Sequence, residues 1–223
     1  MASADDRWLD GATVVVTAGG TREPIDPVRY IGNHSSGKMG NALAHAAARA
    51  GAHVVLITAA DAPAETSGVD VRHVTTAQEM HAAVREALPA ARLLIMAAAV
   101  ADWRPLNVAA NKLKKRPGRW MLELEPTVDI LAALRDDPAR AGVYIVGFAA
   151  ESEDALVNAQ AKLRAKALDL IVVNDISRTD IGMGADDNEV TVIDAGGVVA
   201  TIPRAPKGTV ATAILRLVRP RLR

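Results

Sequence analysis

Between Arg104 and Arg119 the chain carries six basic side chains and no acidic one: Arg104, Lys112, Lys114, Lys115, Arg116 and Arg119. The whole chain has 26 basic and 26 acidic residues and a formal net charge of zero. A local cationic excess on a neutral background suits a lid over a polyphosphate, although a solvated surface accommodates it too. Asp102 lies just upstream. Mg²⁺ (or Mn²⁺) typically takes one or two carboxylates plus phosphate oxygens, and Asp102 offers one such carboxylate. It serves equally well as a cap or turn acceptor.

A second cluster lies earlier. Gly32-Asn33-His34-Ser35-Ser36-Gly37-Lys38-Met39 nearly matches G-x-x-x-x-G-K-[ST], but Met39 stands where a hydroxyl must reach Mg²⁺. A P-loop is therefore rejected. The underlying physics survives: a helix starting here presents unpaired N–H groups and a positive dipole end to an anion. Ser35 or Ser36 can cap that helix, and Gly37 and Gly40 allow another backbone close. An ordinary serine cap reads the same way. Arg29 can grip a carboxylate or phosphate through two parallel hydrogen bonds, and Asn33 can both donate and accept. Both also suit loop bracing. His34 and His45 have no partners at metal-ligand spacing.

Both clusters must be held by a scaffold. Hydrophobic residues make up 50% of 223 positions, enough for a substantial core. The length favours a single domain over 1–223, with 1–10 as a disordered tail. Zero net charge argues against a nucleic-acid binder. No cysteine is present, which excludes disulfides, thiolate metal sites and a cysteine nucleophile. No apolar run reaches the roughly 18 residues of a membrane span, and Met1 to Asp10 is too polar for a signal peptide. A cytoplasmic protein is expected.

Continuous apolar runs at Thr13–Thr17, His53–Thr58, Leu93–Ala98, Val143–Ala149 and Leu170–Val173 read as buried parallel strands. Helical stretches at Ser36–Ala50, Ala77–Leu88, Val128–Leu134 and Glu153–Ala167 separate them. This alternation predicts βαβ units with helices on both faces, a Rossmann-like α/β fold. Val190–Ile193 and Val198–Ile202 flank Asp194-Ala195-Gly196-Gly197 and predict an antiparallel hairpin, followed by a helix from about Lys207 to Arg219. Two long loops remain, Ala18 to Ser35 and Ala101 to Arg119. Each follows the C-terminal end of a predicted strand, the edge where open α/β sheets bind ligands.

Several long motifs, in order, resemble the bacterial CTP-dependent phosphopantothenate–cysteine ligase family across nearly the whole chain. They are Thr17 to Arg29, Asn33 to Gly40, Met96 to Pro105, Lys112 to Lys115, Gly147 to Glu151, and Asn174-Asp175. The resemblance implies a two-step reaction in coenzyme A synthesis. The carboxylate of 4′-phosphopantothenate attacks the α-phosphate of CTP, and L-cysteine then displaces CMP from the acyl cytidylate. It implies a nucleotide site lined by Met96, Ala97, Ala98, Asp102, Lys112, Val128, Asp129, Ile130, Leu131, Phe148, Lys162 and Lys166. Arg29 and Asn33 would serve the acyl intermediate, and Lys112 the charge growing at the α-phosphate. Lys162 and Lys166, four apart, share one helix face. Relatives carry Asn-Pro where this chain has Thr127-Val128, so the contacts of that turn differ.

The resemblance further implies a homodimer, for which the strand edge of the C-terminal hairpin offers a surface that needs covering. Such ligases are often fused behind a flavin-dependent phosphopantothenoylcysteine decarboxylase, for which 223 residues leave no room. A free-standing ligase or an excised piece is expected. Three other readings fit parts of the sequence: a related ligase using ATP, a nicotinamide-dependent dehydrogenase and a nucleotide sensor without catalysis. The dehydrogenase lacks G-x-G-x-x-G and an evident Tyr–Lys pair.

Overall fold

The computed structural model describes residues 7–60, 68–115, 117–151, 155–175 and 184–222. Arg116, the start of the helix expected from Glu153, and residues 1–6 of the expected N-terminal tail lie outside the described residues. The tail ends earlier than expected, because Leu9 is buried in the core and its N–H bonds the Ala50 carbonyl at 3.0 Å.

Six strands run parallel: β1 (Thr13–Ala18), β4 (His53–Thr58), β5 (Val69–His73), β6 (Ala91–Met96), β9 (Tyr144–Glu151) and β10 (Leu170–Asp175). Two antiparallel strands, β11 (Asp187–Asp194) and β12 (Gly197–Pro206), complete an eight-stranded sheet. Its order is β12-β11-β10-β9-β6-β1-β4-β5. The chain winds outward from β1 in one direction and from β6 in the other, so β1/β6 is the topological switch point.

The period of two within each strand divides the core into two layers. Val14, Val16, Leu93 and Ile95 face α1 (Lys38–Arg49) and α5 (Lys207–Val218), against Leu43, Ala47, Ile214 and Val218. Val15, Leu94, Ile145 and Ile171 face the other way. There they meet α2 (Ala77–Ala87), α3 (Ile130–Leu134) and α4 (Ala155–Ala165) through Met80, Val84, Leu134 and Leu163. Helix α2 starts on a full capping box, with Thr76 and Glu79 bonding each other's backbone.

Small residues bring α1 unusually close to β1. A Cβ on Gly40 would lie 2.6 Å from Ala18 Cβ and 2.8 Å from the Thr17 carbonyl. The expected serine cap of α1 is corrected. Gly37, with φ 76°, occupies the cap position without any side-chain hydrogen bond. A left-handed turn, which glycine adopts at little cost, starts this helix.

The expected long loops are not structureless. The first folds into a hairpin of β2 (Arg22–Asp26) and β3 (Arg29–Gly32). The second is closed by β7 (Trp103–Pro105) pairing with β8 (Leu124–Pro126). These strands are only three to five residues long, so no long apolar run betrays them. Strand β5 escaped for a similar reason: it is a half-exposed edge strand of mixed polarity.

Candidate functional site

The C-terminal ends of β6, β9 and β10 and the start of α1 enclose a cleft of about 520 Å³ beside the switch point. Its floor is held by threonines. Thr17 Oγ1 accepts from the Ala98 N–H at 3.1 Å, and Thr21 Oγ1 from the Ala101 N–H at 2.8 Å. The backbone beyond β6 is then stitched to the glycine pair after β1, through Ala99 N to Gly19 O at 2.8 Å and Thr21 N to Ala99 O at 3.2 Å. Thr127 Oγ1 donates to the Ala101 carbonyl, and its N–H to Asp102 O at 2.9 Å. The wall of the cleft is therefore preorganised backbone.

Most residues implicated by sequence converge here. Met96, Ala97, Ala98 and Asp102 form one side. Val128, Asp129, Ile130 and Leu131 form a second, at the start of α3, with Phe148 of β9 nearby. Lys162 of α4 and Lys166, just past its end, reach in as well. Asn33, Ser35, Ser36 and Gly37 also line the cleft.

Two implicated residues stand apart. Lys112 is exposed and does not line the cleft, and neither does Arg29. The guanidinium of Arg29 lies 3.0 Å from the Asp26 carboxylate, donates to the Leu113 carbonyl and sits over the Trp120 ring at 5.8 Å. Asn33 is partly committed. Its Nδ2 donates to Ala99 O at 3.3 Å and Val100 O at 3.2 Å, so it fixes the backbone beyond β6.

Charges in the cleft come in pairs from separate elements. Asp129 caps α3 through the Ala132 N–H at 3.1 Å and meets Lys166 at 2.9 Å. Burial alone would raise its carboxyl pKa. The Lys166 hydrogen bond, the Ala132 amide and the charges of Lys166 and Lys162 outweigh that and hold it below the usual range.

At the α1 end are two lysines without a role assigned from sequence, Lys38 being named only within the rejected P-loop match. Lys38 bonds Asp186 at 2.6 Å and the Gly184 carbonyl at 3.0 Å. Lys207, only 7% exposed, donates to the Ala185 carbonyl. Burial, and then repulsion by Lys38, lower its pKa. Asn174 and Asn188 also line this end. The Oδ1 of Asn174 is buried with no hydrogen-bond partner among the described residues, leaving an acceptor that a bound donor would satisfy. Asn174 had a signal, its place at the end of a buried strand. Lys207 read only as the first residue of a helix.

Among the described residues no three His, Asp or Glu side chains group as a metal site. Asp102, exposed beside the cleft, is a single carboxylate. That donor set fits a cation arriving with nucleotide phosphates better than a permanently bound one. No helix among the described residues is long and apolar enough to cross a membrane.

A cleft lined by Lys38, Lys162, Lys166 and Lys207 at the switch point places the chain among Rossmann-like α/β proteins, a class whose ligand sites lie at that sheet edge. Within that class, residues 9–221 match the family described as DNA/pantothenate metabolism flavoprotein C-terminal domain, and the chain belongs to it. A relative from Mycobacterium bovis, "Coenzyme A biosynthesis bifunctional protein CoaBC", is 43% identical over 225 residues, covering 93% of this chain and 52% of its own. A protein of unknown prokaryotic origin named "Cysteine/Cysteine sulfinic acid decarboxylase" is 41% identical over 215 residues, covering 95% of this chain and 59% of its own. The chain thus spans little more than half the length of these curated relatives. A crystal structure of the C-terminal domain of a coenzyme A biosynthesis bifunctional protein CoaBC superposes with a TM-score of 0.80 at 37% identity, covering 97% of this chain and 98% of that one.

Proposed function

We propose that this domain is a phosphopantothenate–cysteine ligase of coenzyme A synthesis, driven by CTP through an acyl cytidylate. The observation that carries the proposal is the convergence of Met96–Ala98, Val128–Leu131, Phe148, Lys162, Lys166 and Asn33 on one cleft. These residues come from separate segments, and the family resemblance had already assigned them to one nucleotide and acyl site.

In the first step a carboxylate oxygen of 4′-phosphopantothenate bonds to the α-phosphorus and the bond to pyrophosphate breaks. In the second, the cysteine amine attacks the acyl carbon, loses a proton and expels CMP. Both steps move negative charge and need little else than positioning and cations. Lys162 and Lys166 supply charge from the wall, and Lys112 supplies it from the lid. Asp102 would hold Mg²⁺, which neutralises phosphate oxygens. The threonine-pinned backbone keeps the reacting groups aligned. ATP use is the alternative within the same chemistry.

The homodimer expected from the resemblance is proposed through a different surface. The β12 edge carries Pro203 and Pro206, which lack N–H donors, together with Arg204, so it is blunted against pairing. A group of exposed apolar side chains sits on the two small hairpins. There Val28, Tyr30 (55% exposed), Trp103 (52%) and Leu124 face solvent. An exposed apolar cluster of this kind marks an interaction site. Association with a flavin-dependent decarboxylase and a cytoplasmic location accompany the proposal. The test is mass-spectrometric detection of phosphopantothenoylcysteine from 4′-phosphopantothenate, L-cysteine, Mg²⁺ and CTP. Product is expected with CTP; no product with CTP, ATP or UTP would remove the ligase reading.

A further inference from the structure

Asp26 has a buried carboxylate whose two oxygens do different work. Oδ1 closes the β2–β3 turn, accepting from the N–H groups of Val28 and Arg29 at 2.9 Å each. Oδ2 reaches out of the hairpin. It accepts from the Leu113 N–H at 3.1 Å and lies 3.0 Å from the Arg29 guanidinium. Arg29 in turn donates to the Leu113 carbonyl and stacks over Trp120. Both backbone groups of Leu113 are thus held by the hairpin, and a further bond runs from Ala109 N to Ile25 O at 2.9 Å. Leu113 sits in the middle of the basic lid, between Lys112 and Lys114. With the lid held this way, Lys112 stays out of the cleft.

We propose that Asp26 and Arg29 form a latch that docks the basic lid on the first hairpin, and that Asp26 is a positioning residue for Lys112 and Arg29. The role in acyl transfer rests on the ligase reading; the latch itself does not. Arg29 cannot turn to an acyl phosphate without giving up its bond to the Leu113 carbonyl, which leaves the lid on the Asp26 and Ile25 bonds alone. Engagement of the acyl group therefore favours release of Lys112 toward the nucleotide. The closed lid forms only when both substrates are present, which limits idle hydrolysis of the nucleotide.

Asp26→Asn separates the two functions of the carboxylate. The retained Oδ1 still accepts from Val28 and Arg29, whereas the new Nδ2 meets the Leu113 N–H and the Arg29 cation, donor against donor. Leu113→Pro attacks the same bond from the lid side, by removing the N–H while leaving the hairpin intact. The readout is trypsin cleavage after Lys114 or Lys115 in the full chain without nucleotide. Each variant should be cut about tenfold faster, as loss of a hydrogen bond to a charged group implies. The double variant should be cut no faster than the singles.

Half-saturating CTP for turnover at saturating 4′-phosphopantothenate should also fall several-fold in Asp26→Asn, because a lid that closes only with both substrates present no longer has to leave its dock. A purely structural role for Asp26 would not lower it. If Asp26→Asn unfolds, the proline variant decides alone. Cleavage at the parent rate in a folded variant would overturn the latch, and a rise in half-saturating CTP would overturn its standby role. Faster cleavage in a protein that makes no ligase product would keep the latch and remove the ligase reading.

Discussion

Two lysines assigned to the same nucleotide occupy different places, and substitution should separate them. Lys166 stands in the cleft wall, largely shielded at 22% side-chain exposure and tied to Asp129 at 2.9 Å. If the cleft takes CTP as proposed, Lys166 meets a bound phosphate in ground state and transition state alike. Lys166→Gln should therefore weaken CTP binding by about 10- to 100-fold, the value of a charged hydrogen bond of about 1.5–3 kcal/mol. Its effect on stability should be small. Asp129 is half-exposed, so the lost ion pair is discounted to less than about 1 kcal/mol.

Lys112 is exposed on the lid and absent from the open cleft. On the proposed mechanism it contributes only when the lid closes on charge building at the α-phosphate. Lys112→Gln should leave the CTP dissociation constant within about threefold of the parent and slow the first half-reaction by about 10²–10³. Calorimetric titration of CTP and rapid-quench pyrophosphate release measure the two quantities separately. Equal losses of affinity and rate in both variants would refute the distinction between wall and lid.

Gly40→Ala should destabilise the fold by about 1–3 kcal/mol, because its Cβ would press on Ala18 and the Thr17 carbonyl. A melting temperature within about 1 °C of the parent would contradict that packing. Asn33→Asp would set a carboxylate against the carbonyls of Ala99 and Val100, which now accept from its amide. It should form product at a greatly reduced rate, with a lower melting temperature from the loosened backbone. Product formation at the parent rate would leave Asn33 as a brace alone.

The Asp129 carboxyl is held below its ordinary value of 3.8, so its stabilisation is present above that pH and is lost as pH falls through the lower folded value. The difference in melting temperature between parent and Asp129→Asn should stay constant from about pH 8 to pH 5 and shrink only in stronger acid. A difference that vanishes near neutrality would argue against the Lys166 pair.

The parallel strands were legible because burial on both faces demands continuous apolar runs, as in Val14–Val16 and Leu93–Ile95. The C-terminal hairpin was legible from its Gly196-Gly197 turn. What escaped was held by local hydrogen bonds. The β2–β3 hairpin depends on one carboxylate, Asp26, and no periodicity announces it. Cleft-lining residues on the parallel strands, such as Met96 and Phe148, could be brought together by fold logic and resemblance. Lys38 and Lys207 could not be paired, because 169 positions separate them and only the packing of α1 beside α5 brings both to the cleft. The serine cap failed because Gly37 satisfies the turn by its left-handed backbone.

Pyrophosphate release in the absence of cysteine tests the central claim most directly. With CTP, Mg²⁺ and 4′-phosphopantothenate, one equivalent of pyrophosphate per active site should appear, together with an acyl cytidylate that hydroxylamine or added cysteine discharges. CTP should outperform ATP and UTP, and no release should occur without 4′-phosphopantothenate. Release that requires cysteine for the first turnover, or that proceeds without 4′-phosphopantothenate, would contradict the acyl-cytidylate account.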